Sequence, residues 1–164
     1  MSSGASVSRM ALILAALAAV MLTLFAGAPA ANAQGLDLSP YRGKIVLVDF
    51  WASWCTPCRH SFPWLDSMQK RYENQGLVVL GVNVDRERAA AERFLRDVPV
   101  QFEILYDPQG VLATKYELLG MPSSFVFGPD GKLLITHVGF KTSERDERER
   151  EIARLLNEHV RDQP

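Results

Sequence analysis

The chemistry of this chain is concentrated in Trp51-Ala52-Ser53-Trp54-Cys55-Thr56-Pro57-Cys58, which holds the only two cysteines among its 164 residues. Two thiols separated by two residues can open and close a disulfide within one helical turn, provided that one of them ionises readily. A cysteine at a helix N-terminus does so, because unpaired backbone N–H groups and the positive end of the helix dipole stabilise its thiolate. On this reading Cys55 is the exposed nucleophile that forms a mixed disulfide with a partner, and Cys58 is the thiol that resolves it. A structural crosslink is one rival, since such bonds are used outside the cytoplasm. A loop this small, however, removes only about 2 kcal/mol of unfolded-state entropy by the chain-entropy relation, against about 5 kcal/mol for a loop of roughly a hundred residues. A metal site is the other rival. Beyond the cysteines the chain offers only His60, His137 and His159, with no clear ligand spacing. The expectation is therefore no metal and no cofactor beyond the Cys55–Cys58 disulfide itself, with copper binding by the thiols as the alternative.

A strand, a turn and a helix must carry this pair. Ile45-Val46-Leu47-Val48-Asp49-Phe50 is a nearly continuous apolar run, the pattern of a strand covered on both faces. Asp49 interrupts it six residues before Cys55. A carboxylate there is costly to bury unless it has a partner or takes up a proton, so Asp49 is either buried for a task or a solvated residue at a sheet edge. Cys58 to Asn74 reads as the helix, with Phe62, Leu65, Met68 and Tyr72 at helical intervals and Pro63 expected to kink it. Gly76 closes it. Leu77 to Val84 is a second buried strand, and Glu87 to Asp97 a helix with Phe94, Leu95 and the alanine run inward, stopped by Val98-Pro99. A short strand, Phe102 to Tyr106, and a short helix, Gly110 to Tyr116, follow. Ser123 to Phe127 and Leu133 to Val138 are then strands joined by Gly128-Pro129-Asp130-Gly131, which is hairpin chemistry. The last helix, about Ser143 to Val160, carries Ile152, Leu155 and Leu156 on one face. This order describes an α/β fold with a mixed sheet sandwiched between helices.

Residues 1–33 differ in kind from the rest. A Ser-rich start with one cation, Arg9, leads into an apolar run from Met10 to Phe25 and then small residues ending in Ala31-Asn32-Ala33. This is the pattern of an export signal cleaved after Ala33; if residues 10–28 are counted together, an uncleaved membrane anchor is the alternative. In either case Arg9 stays on the cytoplasmic side and residues 34–164 form one domain outside it. No cysteine directly follows the apolar run, which excludes a lipoprotein anchor. With 18 Lys and Arg against 19 Asp and Glu there is no basic excess, so nucleic acid is not an expected partner. The run from Lys141 to Arg154 mixes both signs at helical spacing and reads as a solvated helix face.

Trp-Cys-Thr-Pro-Cys opening the first helix, followed much later by Gly120-Met121-Pro122 before the hairpin, resembles the thioredoxin superfamily over nearly all of residues 34–164. The leader, Trp51-Ala52-Ser53-Trp54, the extra helix and strand between Arg86 and Tyr116, and Val138-Gly139-Phe140 are similar to its extracytoplasmic TlpA/ResA/DsbE type. The resemblance implies a thiol:disulfide reductase serving cytochrome c maturation or copper-centre assembly. It implies that Pro122 is a cis-proline facing the cysteines, with Met121 touching an extended substrate, and that Asp49 relays protons for Cys58. ResA-like members instead carry a Glu three residues after the second cysteine; here that position is Ser61, which shifts the weight to Asp49. Trp54 is expected to cover one side of the pair and Trp51 to belong to the core or its rim, packing being the default for either.

Direction of electron flow depends on potential, and the reducing and oxidising extremes of such motifs differ by about 150 mV, roughly 7 kcal/mol for a two-electron couple. Thr56-Pro57 places no charge and no imidazole between the cysteines, while Pro57 removes a donor near Cys55, so a fairly reducing pair is expected. In an oxidising compartment it needs recharging, for which the family implies a membrane thiol carrier of the DsbD or CcdA type. A monomer acting on protein thiols and disulfides is the reading; a copper metallochaperone or a general thiol oxidase are the alternatives.

Overall fold

The structure, a computed structural model, describes residues 35–161. The leader, with its apolar run and the boundary at Ala33, lies outside the described residues. Strand β1 (Ile45–Trp51) is buried at every position, as a continuous apolar run requires of a central strand. Alternation sorts its side chains to the two faces of the sheet: Ile45, Leu47 and Trp51 enter one core cluster, and Val46, Val48 and Phe50 the other. Asp49 shares the parity of the first set.

Parallel to β1 lies β2 (Leu77–Asn83), in register from Ile45 against Leu77 to Trp51 against Asn83, and β3 (Glu103–Tyr106) lies parallel to β2. On the other side β4 (Ser123–Phe127) runs antiparallel to β1, and β5 (Leu133–Val138) antiparallel to β4. The resulting mixed sheet has the order β3-β2-β1-β4-β5. Three helices, α1 (Thr56–Tyr72), α2 (Arg88–Asp97) and α4 (Arg145–Arg161), cover the face that carries Leu47 and Trp51, contributing Phe62, Leu65, Met68, Ala91, Phe94, Ile152 and Leu156 to its core. The opposite face is covered by the short α3 (Val111–Lys115), through Leu112, together with Tyr116 just beyond it and by Leu36, Leu38 and Tyr41 of the entering chain. The expected sandwich of a mixed sheet between helices is therefore present, with α2, β3 and α3 filling the segment between β2 and the hairpin.

Around the fully buried Phe62, the rings of Trp51, Phe94 and Phe102 have centroids 4.7, 5.1 and 5.4 Å away. This aromatic cluster fixes α1 on β1 behind the cysteines. Several boundaries differ from the sequence expectation. Helix α1 begins at Thr56, because Cys55 caps it, and runs as one helix through Pro63 into a 3₁₀ turn at Glu73–Gln75. In α2 only Ala91 and Phe94 are buried, since a period of 3.6 brings i and i+3 to one face and leaves Ala89 exposed and Ala90 and Leu95 half-buried. Helix α4 starts at Arg145, after a 3₁₀ turn at Thr142–Glu144. The reading of its charged run as wholly solvated is corrected at Arg148, which is only 5 % exposed. Arg148 lies four residues before Ile152 and eight before Leu156, on the stripe that meets the core.

Candidate active site

Chain direction at the end of β1 places the cysteines. The Cys55 N–H donates to the Ala52 carbonyl at 3.1 Å, closing the turn after the strand. Cys55 is extended (φ −85°, ψ 101°) and is the N-cap of α1; the Cys58 N–H, 3.2 Å from its Sγ, donates to it. One helix N–H thus points at the sulfur whose ionisation the sequence argument requires. Cys55 and Cys58 form a disulfide. Cys55 is 5 % exposed and Cys58 fully buried, which corrects the expectation of an openly exposed nucleophile. In the disulfide, Cys55 is packed among its neighbours and is reached from a groove of about 550 Å³ that Trp54, Pro57, Val84, Leu119 and Met121 also line. Thr56 and Pro57 are exposed between the cysteines, as the first two residues of α1.

Trp54 is 68 % exposed and forms part of the groove wall; Trp51 is fully buried in the core. Across the groove the Met121–Pro122 peptide is cis. Pro122 is buried and its carbonyl accepts from the Gly139 N–H at 2.7 Å, while Met121 is half-buried. Leu119, two residues before Met121, is 88 % exposed.

Asp49 faces the side of the sheet where Cys58 and Phe62 pack, by the parity it shares with Leu47 and Trp51. It is 1 % exposed, which removes the alternative of a solvated edge residue. The Ser124 hydroxyl donates to its Oδ1 at 2.6 Å, and its Oδ2, also buried, has no hydrogen-bond partner. Burial pushes the pKa of Asp49 up to about 7, against the opposing pull of the Ser124 hydrogen bond and the Arg148 charge. A carboxyl that titrates near neutrality can accept and return a proton. Ser61, at the position where ResA-like proteins carry a glutamate, donates to the Cys58 carbonyl at 3.1 Å and brings no titratable group.

Two features escaped the sequence reading. Asp85, just past β2, accepts from the Ser53 N–H (2.8 Å) and hydroxyl (2.9 Å) and from the Asn83 amide (2.8 Å), and so clamps the loop that leads into the cysteines. Its signal was its place at the carboxyl end of a parallel strand, next to the end of β1, where open α/β sheets assemble their sites. Arg148 is the other, and its signal was its spacing from Ile152 and Leu156. The histidines lie apart in role: His60 is exposed on α1, His137 Nε2 is 3.0 Å from Glu151, and His159 Nε2 is 2.9 Å from the Gly43 carbonyl.

Residues 22–135 match the model of the AhpC/TSA family. The chain belongs to this family. Within the thioredoxin superfamily it is of the TlpA/ResA/DsbE type, by its likeness to the following proteins. The thiol-disulfide oxidoreductase ResA of Bacillus subtilis is 30 % identical over 111 residues, which are 68 % of this chain and 62 % of ResA. The chain thus spans a little under two thirds of the length of that relative. A crystal structure of a Chlorobium tepidum protein assigned as the thiol:disulfide interchange protein DsbE superposes with a TM-score of 0.71 at 43 % identity, covering 73 % of this chain and 84 % of that one. StoA from Bacillus subtilis superposes with a TM-score of 0.57 at 25 % identity, covering 66 % and 84 %.

Proposed function

We propose that this protein is an exported thiol:disulfide oxidoreductase that reduces disulfides of particular apoproteins, in cytochrome c maturation or copper-site assembly. The observation that carries the reading is the Cys55–Cys58 disulfide at the N-terminus of α1, with Cys55 on an apolar groove and a buried Asp49 on the same side of the sheet as Cys58. The chain's likeness to the thiol-disulfide oxidoreductase ResA and to the DsbE-type thiol:disulfide interchange protein supports it.

In the reduced protein, the Cys55 thiolate attacks one sulfur of the client disulfide, forming a mixed disulfide and releasing one client sulfur, which takes up a proton. Cys58 then loses its proton to Asp49 and attacks Cys55 Sγ, releasing the second client sulfur and closing the Cys55–Cys58 bond. Two electrons and two protons pass to the client in all. Met121 and the backbone before Pro122 receive the extended client segment, and Trp54 closes one side of it. Thr56-Pro57, uncharged, keeps the pair reducing. A membrane thiol carrier of the DsbD or CcdA type returns the electrons. Residues 1–33 deliver the domain of residues 34–164 to the extracytoplasmic side, either as a cleaved signal or as an anchor, and the domain works as a monomer.

Trapping tests these roles. Cys58→Ser is expected to accumulate mixed disulfides with clients in the native compartment, and Cys55→Ser to form none. Equal trapping by both variants, or by neither, refutes the assignment.

A further inference from the structure

Arg148 is the only Lys or Arg among the described residues that is buried. Withdrawing a guanidinium from water carries a penalty of several kcal/mol unless opposite charge and hydrogen bonds offset it. Glu144 offsets part of it, accepting from Arg148 Nη2 at 2.9 Å, but Nη1 is buried with no hydrogen-bond partner. Asp49 is in the same condition with the opposite sign: Ser124 satisfies Oδ1, and Oδ2 is buried with no partner. Asp49 points to the sheet face that α4, the helix carrying Arg148, covers, and there the Arg148 charge favours the ionised carboxyl against the larger effect of burial.

Packing holds the arginine in place. Its guanidinium lies 5.6 Å from the centroid of the Phe140 ring, and Phe140 in turn packs on Trp64 of α1 with centroids 5.5 Å apart. Arg148 is thus tied through Phe140 to the helix that carries the cysteines, and its apolar neighbours on α4, Ile152 and Leu156, belong to the cluster that contains Cys58.

We propose that Arg148 is a positioning residue of the redox site, the buried cation on the terminal helix that supplies the positive charge opposite the Asp49 carboxylate. This rests on the role given above to Asp49 and deepens it. The other groups around Asp49 do not supply that charge. At the paired positions β2 offers Gly81 and β4 the neutral Ser124, and α1 covers this face with Cys58 and Phe62, which carry no positive charge. Beyond Arg148 stand Glu144 and, on β5, His137 with Glu151; burial and the arginine itself hold His137 toward its neutral form. Without the arginine, Asp49 would stay protonated to higher pH, and a smaller fraction of it would be ionised to take the Cys58 proton near neutrality.

The test is a carboxyl ¹³C NMR titration of Asp49 in the oxidised whole protein, comparing the wild type with Arg148→Lys and Arg148→Met. The proposal expects the Asp49 midpoint to rise by about one pH unit in Arg148→Met and to stay within about 0.3 units of wild type in Arg148→Lys. The direction separates charge from packing. A side chain that only filled space would, once lost, admit water and lower the midpoint. An unchanged or lowered midpoint in Arg148→Met overturns the proposal, as does a rise of equal size in Arg148→Lys. Arg148→Gln, which keeps a polar but uncharged head, is the second variant if Arg148→Met does not fold, with the same upward shift expected and the same results overturning it. The titration reads the carboxyl directly and needs no client, so its failure is distinct from a failure of the cysteine trapping experiment.

Discussion

The Ser124 hydroxyl meets Asp49 Oδ1 at 2.6 Å across the β1–β4 ladder, where the two residues are direct register partners. Ser124 is in turn the register partner of His137 on β5. Since paired residues in neighbouring strands project to the same face, Asp49, Ser124 and His137 form a polar row from the central strand to the edge. That row lies on the face that α1 and α4 cover. The interior behind the cysteines therefore carries one polar row beside a cluster of aromatic and aliphatic side chains that includes Trp51, Phe62, Leu65 and Ile152.

Replacing Asp49 by asparagine should stabilise the fold in a pH-dependent way. Burial raises the pKa of Asp49 from 3.8 to about 7, so between these values the folded protein holds a proton that the unfolded chain has released. The stability tied to that proton is complete below about pH 4 and lost as pH rises through about 7. Asp49→Asn, neutral throughout, is expected to equal the wild type near pH 4 and to exceed it near pH 8 by an amount on the order of 4 kcal/mol at most. Urea unfolding midpoints at the two pH values check this, and an unchanged difference between them contradicts it.

Leu119 and Trp54 are 88 % and 68 % exposed, and both line the groove that Cys55 adjoins. Apolar surface of this kind is expected to be covered when a client docks. Leu119→Ser is predicted to raise the KM for a protein disulfide about tenfold, with little change in the rate toward a small dithiol, because the lost term is apolar burial and not sulfur chemistry. Paired kinetics with the two substrates check it. A parallel fall in both rates would mean that Leu119 acts on the cysteines themselves.

Gly81 is a packing requirement. A Cβ there would lie 2.9 Å from Ile104 Cδ1, 3.0 Å from Phe102 Cε2 and 3.2 Å from Trp51 Nε1. Gly81→Ala is expected to destabilise the domain by about 1–3 kcal/mol, since two of these neighbours are rings locked in the aromatic cluster. Chemical denaturation measures this; a neutral result would show that Ile104 and Phe102 can move aside at little cost.

Features that depend on neighbours in the chain were legible in the sequence, and features that depend on which distant elements meet were not. The hairpin strands flank the Gly128-Pro129-Asp130-Gly131 turn as expected, and β1 and α1 follow from an apolar run leading to a helix-starting cysteine. The cysteine pair was legible for the same reason, because its spacing and its place at a strand-to-helix turn are local. The burial of Asp49 was an open choice until β4 brought Ser124 to it from 75 residues away. Asp85 becomes a clamp on Ser53 only because parallel pairing sets the ends of β1 and β2 side by side. The arginines of the run from Lys141 to Arg154 differ as sequence only in their spacing from Ile152 and Leu156. Tertiary packing drew Arg148 inward, because turning Ile152 and Leu156 toward the core carries with them whatever residue lies one helical turn earlier on the same stripe.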